Sequence, residues 1–124
     1  MFAIRVLPQS QADSDGQRLG EITIGDFREQ FACNPVVGAI EEMGAQWRQQ
    51  LIRLFQGEPA VALVRDPRFA WIIYREGDQC FLQEKLSIDG NFRNIDPRRT
   101  LTEDGHSVSE WTTTALAIRE FIDA

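Results

Sequence analysis

Histidine is nearly absent from this chain, and cysteine, lysine and tyrosine are scarce. The 124 residues hold one His, two Cys and one Tyr, and a single lysine, Lys85, among thirteen basic side chains. Each scarcity removes a class of chemistry. A lone histidine, His106, with scattered acids does not make up a ligand set, so no metal site is expected. Cys33 and Cys80 cannot form a disulfide framework. They read as small buried apolar side chains in a reducing cytosol. There is no phosphate-cradling glycine loop, and no nucleophile stands in a recognisable pattern with a base. No apolar run reaches the ~20 residues of a membrane-spanning helix. The opening Met1–Leu7 is interrupted by Arg5 and is too short for a signal peptide; it reads as a first strand. The expectation is a cytoplasmic protein with no cofactor and no catalytic residue.

What is present is acid. Nineteen Asp and Glu face thirteen Lys and Arg, a net charge of -6. The excess is at the two ends. Residues 1–46 carry seven acids and three bases, residues 47–99 seven and nine, and residues 100–124 five and one. Net negative charge argues against a nucleic-acid backbone or an anionic membrane as ligand, because both need a basic footprint. It suits a basic protein partner, since complementary fields speed encounter, and it also serves solubility.

The chain length fits one domain, residues 1–124. The polar stretch Pro8–Gln17 is a loop before Leu19–Ile24, where Ile22 and Ile24 alternate with polar residues as in a half-buried strand. Gly25-Asp26 is a turn, and Phe27, Glu29 and Phe31 share one parity of a further extended stretch. From Ile40 to Gln56 the period changes. Ile40, Met43, Trp47, Leu51, Leu54 and Phe55 recur at helical steps, Gly57 supplies the stop and Pro59 prevents continuation. Glu41 and Glu42 at its start suit the helix dipole or an interface. Three strands follow at 60–64, 69–74 and 79–86, joined by connections short enough only for antiparallel neighbours. The middle run is apolar on both parities, which places it inside the sheet. Residues 87–105 are rich in turn formers, a late strand falls around 106–112, and Leu116, Ile118, Phe121 and Ile122 mark a short C-terminal helix. This order predicts an α+β fold: a mainly antiparallel twisted sheet, one long central helix packed on it and a short C-terminal helix.

The remaining candidates have structural readings beside functional ones. Trp47, Trp71 and Trp111 fit the core better than a ligand platform, with each buried indole N–H needing a partner. Arg98-Arg99, with Arg93 and Phe92 nearby, suit phosphate contact or ion pairing with Asp89, Asp96, Glu103 and Asp104. His106 follows Glu103-Asp104-Gly105, so a carboxylate is at hand to orient it in a small hydrolase.

Taken together, Gly20–Phe27 with Phe31, Trp47-Arg48 with Leu51, Tyr74–Asp78, Pro97–Thr100, Glu103–Gly105 and Ser109–Trp111 resemble the immunity proteins of bacterial contact-dependent growth inhibition systems. The resemblance implies a cytoplasmic protein that binds and neutralises the C-terminal toxin domain of a delivered effector. Such toxins are frequently nucleases, including tRNA-cleaving ribonucleases, and often basic, and the expected complex is 1:1. The interface candidates are the acids nearest the expected element ends: Glu41, Glu42, Glu76, Asp78, Glu103 and Asp104, with Asp13 and Asp15 in reserve. The alternatives are a small hydrolase using His106 with Glu103 or Asp104, and a homo-oligomeric scaffold.

Overall fold

In the computed structural model, two tight turns decide how the strands begin. Gly25 (φ 61°) turns β2 (Leu19–Ile24) into β3 (Phe27–Ala32), and Gly77 (φ 64°) turns β5 (Phe69–Glu76) into β6 (Gln79–Leu86). Both glycines adopt the left-handed conformation that such turns need and that Cβ-bearing residues resist. The structure describes residues 1–35, 38–86, 92, 95–99, 102, 103, 106, 107 and 109–124, with only the backbone of 102, 103, 106 and 107.

The strands form two main antiparallel sheets. In the first, β1 (Phe2–Val6) pairs with β2 and β2 with β3. In the second the order is β4 (Ala60–Val64), β5, β6 and β9 (Trp111–Thr114). A small hairpin joins β7 (Thr102–Glu103) to β8 (His106–Ser107). The α+β architecture, the long helix and the short C-terminal helix agree with the sequence expectation. The strands, however, are divided between two sheets. Parity shows which face of a strand is buried; it carries no record of which edges join. The expected late strand resolves into β8 and β9, and Val108 between them lies outside the described residues.

Helix α1 (Met43–Leu54) buries Met43, Trp47, Leu51 and Leu54, the face its spacing predicts. Its first expected turn, Ile40–Glu42, is 3-10 rather than α. The Trp47 indole N–H donates to the Val64 carbonyl at 2.8 Å, fastening the helix to β4. At the other end the Arg75 guanidinium donates to the Leu54 carbonyl (3.1 Å), satisfying a helix-terminal acceptor. Helix α2 (Ala115–Asp123) starts at Thr114, whose hydroxyl accepts from the Ala117 N–H at 3.1 Å. It buries Ala115, Ile118 and Ile122, and Phe121 meets Phe2 edge-on at 5.7 Å.

One core lies between the sheets and under both helices. A run of aromatic rings crosses it: Phe27 stacks on Trp111 (4.5 Å), Trp111 meets Trp71 (5.5 Å), and Phe31 contacts both Trp71 (6.3 Å) and Trp47 (6.0 Å). Trp47 and Trp71 are thus core residues, and Trp111 packs against that core half-buried. The Trp71 indole N–H has no acceptor among the described residues.

Strand β5 is apolar on both parities because both faces of its sheet are covered. Trp71 and Ile73 enter the main core; Ala70, Ile72 and Tyr74 form a second cluster with Phe81, Phe92 and Ile95. That second cover is latched by Arg99. Its guanidinium lies 3.6 Å from the Phe81 ring centroid and pairs with Glu76 and Glu110, each at 2.6 Å. Glu110 also accepts from the fully buried Gln83 amide at 2.7 Å. The acids that neutralise Arg99 therefore come from other parts of the chain than its sequence neighbours. Arg98 does use a neighbour, Asp96 (3.4 Å). Asp89, Arg93 and Asp104, expected in the same network, lie outside the described residues.

Two outcomes test this packing. A Cβ at Gly20 would lie 2.6 Å from the Phe31 ring and 2.8 Å from the Cys33 sulfur. Gly20→Ala should lower unfolding free energy by about 1–3 kcal/mol in urea denaturation. Both cysteines are free and buried, and burial pushes each thiol up to about 11. At pH 8 the thiolate fraction is then on the order of one in a thousand. Ellman's reagent should leave the native protein unmodified over an hour and titrate both thiols in guanidinium.

Candidate interaction surface

The acids expected at an interface fall into separate groups. Asp13, Asp15, Glu41 and Glu42 gather at one end of the molecule. There Gln17 donates to the Cys33 carbonyl (2.7 Å), Arg18 pairs with Glu41 (3.4 Å), and the Asn34 N–H donates to the Arg65 carbonyl (2.9 Å). Asp13 is occupied in shaping its own loop, accepting from the N–H groups of Asp15 and Gln17, each at 2.9 Å. Glu41 remains 70% exposed despite its pairing, and Asp15 and Glu42 are exposed.

Glu76 and Asp78 stand at the opposite end of the four-stranded sheet, at the β5–β6 turn. Glu76 is committed to Arg99, and the Asp78 carbonyl accepts from the Ala115 N–H at 2.8 Å, seating the start of α2. The two groups are separated by the length of β5, roughly 25 Å at ordinary strand rise. Glu103 faces His106 across the β7–β8 hairpin in the backbone register. Their side chains, and all of Asp104, lie outside the described residues.

A third group was not among the sequence candidates. Glu29 on β3 and Glu84 on β6 sit at the mouth of the space between the sheets. Glu29 shares the inward parity of Phe27 and Phe31, and Glu84 faces Trp71 across the β5–β6 ladder. Arg65, from the β4–β5 turn, closes one side. Its guanidinium pairs with Glu84 (3.0 Å) and Asp66 (3.7 Å), and lies over the rings of Phe69 (4.7 Å) and Phe31 (5.7 Å). Glu29 has no ion-pair partner among the described residues. Partial burial raises its carboxyl pKa, repulsion from Glu84 raises it further, and Arg65 offsets part of this. Three carboxylates thus share one guanidinium. The one sequence signal was the position of Glu29 among aromatic residues of one parity, where an acid is out of place.

Elsewhere Asp26, Asp78, Glu120 and Asp123 also have no cationic partner among the described residues. The described residues contain no group of His, Cys, Asp and Glu able to hold a metal ion, and no described helix is long and apolar enough to cross a membrane. What these surfaces offer is acceptors for cationic donors.

The model of the CdiI N-terminal domain family matches residues 39–121. Among solved structures the chain matches one from the CdiA-CT/CdiI toxin and immunity complex of Enterobacter cloacae. The TM-score is 0.74 with 19% sequence identity, covering 99% of this chain and 97% of that chain. At that identity the likeness establishes a shared fold. No curated protein matches the sequence. With two thirds of its length inside the family model, the chain belongs to the CdiI family, the immunity proteins of contact-dependent growth inhibition that its sequence resembles.

Proposed function

We propose that the protein binds the C-terminal toxin domain of a cognate contact-dependent inhibition effector and neutralises it in the cytoplasm. The match of residues 39–121 to the CdiI family carries this reading. The solved relative of the same fold comes from a complex of toxin and immunity protein, which supports it. The protein acts by occupying surface rather than by catalysis.

The chemistry of the surface indicates the kind of toxin. A net charge of -6, with carboxylates left without cations at several loops, suits a basic partner. A nuclease is such a partner, because its substrate cleft must attract phosphates. In this reading the toxin is a basic nuclease, a tRNA-cleaving ribonuclease being one form, and the complex is 1:1. Carboxylates of the immunity protein stand where substrate phosphates would, or block access beside the cleft. A stable complex of this sort buries about 1,600 Å² or more. Glu41, Glu42 and Asp15 form the rim we assign to it, with Asp13 shaping their loop. Asp78 belongs to the far end, together with Glu76, which is already neutralised by Arg99.

The purified chain should form a 1:1 complex with the C-terminal domain of the cognate effector, and its expression should restore growth of cells producing that domain. Absence of binding at micromolar concentration would sink the proposal. Between 50 and 500 mM NaCl the association rate should fall by roughly tenfold or more while dissociation changes little. An association rate indifferent to salt would reduce the acidity to a solubility role.

A further inference from the structure

The hydrogen-bond phase of the first sheet leaves one edge open. Ile24 faces Phe27 across the Gly25-Asp26 turn, and beyond the other end of the ladder the Cys33 N–H donates to the Arg18 carbonyl at 3.0 Å. Antiparallel pairs alternate between those that exchange hydrogen bonds and those that do not. The exchanging pairs are then Ile24–Phe27, Ile22–Glu29 and Gly20–Phe31. The main-chain N–H and C=O groups of Arg28, Gln30 and Ala32 point away from β2. Among the described residues none of them has a partner from another element. The register runs from Leu19–Ala32 to Ile24–Phe27 without a bulge, and β3 contains no proline. Two charges stand on this edge, Arg28 outward and Glu29 inward, and such charges usually deter strand addition; an incoming strand that brings a cation to Glu29 is the one they admit.

The same phase argument applies to β6. The Ala115 N–H donates to the Asp78 carbonyl, so even-numbered residues of β6 face β9. Because β9 begins at Trp111, opposite Leu82, the main chain of Glu84 lies beyond its partner strand. Glu84 thus flanks the mouth that β3 opens on the other side.

The other edges differ. On β4, Trp47 already occupies the Val64 carbonyl. On β1, the inward side chains Phe2 and Ile4 are buried, so an added strand would find no charge to meet there. Among the described residues, the open edge of β3 lies next to carboxylates in excess of their cation.

We infer that the mouth between β3 and β6 receives an extended segment of the toxin domain bearing a lysine or arginine. The segment adds to β3 through the main chain of Arg28, Gln30 and Ala32, and its cation rests between Glu29 and Glu84. The inference rests on the toxin-binding reading and names its contact. Geometry supports it: directly opposed side chains of adjacent strands lie about 5 Å apart, so an inward side chain opposite Glu29 comes within ion-pair reach. Main-chain pairing of this kind gives affinity, and the side chains that enter the space behind give specificity. The stacked Phe27–Trp111 pair, half-buried at the same mouth, gives the aliphatic stem and the cation an aromatic wall.

The test uses the full chain and the purified C-terminal domain of the cognate effector. Gln30→Pro removes an N–H that points away from β2, so the hairpin keeps its ladder. It should weaken binding at least ~100-fold with a near-native circular dichroism spectrum. Glu29→Gln combined with Glu84→Gln should weaken binding at least ~10-fold and flatten its salt dependence. Asp78→Asn, at the far end, should leave affinity within about twofold. Hydrogen exchange gives a readout without substitution: the amides of Arg28, Gln30 and Ala32 should become protected in the complex. Wild-type binding with those amides unprotected, or with the Glu29/Glu84 variant unimpaired, overturns the inference and leaves the functional reading standing. Failure of the wild-type chain to bind overturns both.

Discussion

The aromatic run through Phe27, Trp111, Trp71, Phe31 and Trp47 is the constraint on which the rest of this structure depends. The two sheets share no strand, so no main-chain ladder joins them. They are held by rings that interlock from β3, β9, β5 and α1. Five large side chains drawn from four elements bury more apolar area per residue than aliphatic ones would. They also impose geometry, because edge-to-face and offset contacts fix the approach of one sheet to the other. A consequence is that β3 ends one sheet while contributing to the core of both. Another is the burial of the Trp71 indole N–H at a point where no acceptor lies among the described residues.

Arginine is the second organising element. Arg75 spends its donors on the Leu54 and Gly77 carbonyls and its guanidinium face on the Phe55 ring (4.8 Å). Arg99 combines two carboxylates with the Phe81 ring, and Arg65 two carboxylates with two rings. A planar guanidinium permits this; an ammonium would serve the ion pairs and lose the stacking. Arg65, Arg75 and Arg99, engaged internally, are poor candidates for phosphate contact; Arg5, Arg28 and Arg68 are exposed. Nineteen acids against thirteen basic residues leave a net charge of -6, and part of the basic set is tied up inside the fold.

Local chemistry made several elements legible. The helical spacing from Met43 to Leu54, the stop at Gly57 and the doubly apolar β5 follow from period, turn residues and burial, and each is present. The division into two sheets was not legible, because strand order is settled by non-local packing that no short window contains. The partners of Arg99 escaped for the same reason: Glu76 lies 23 residues away in sequence. Choosing acids by their closeness to element ends found exposed carboxylates. It passed over Glu29, which lies within a strand and shows its character only when β6 is brought opposite.

Glu29 sets stability against use. A carboxylate drawn into an aromatic mouth, beside Glu84 and with no ion-pair partner among the described residues, disfavours the charged form. The sign of the linkage follows. A folded-state pKa raised above the unfolded value means that the folded state holds the proton more tightly. Stability from this group is therefore present at low pH and lost as pH rises through the raised pKa. Solvent screens this mostly open carboxylate and Arg65 offsets part of the effect, so its contribution to stability at neutral pH is small. A partner cation seated there would relieve the repulsion, so the energy that Glu29 withholds from the free protein becomes available on binding. In the inferred complex this would give the open edge of β3 a chemical preference that main-chain pairing alone does not supply.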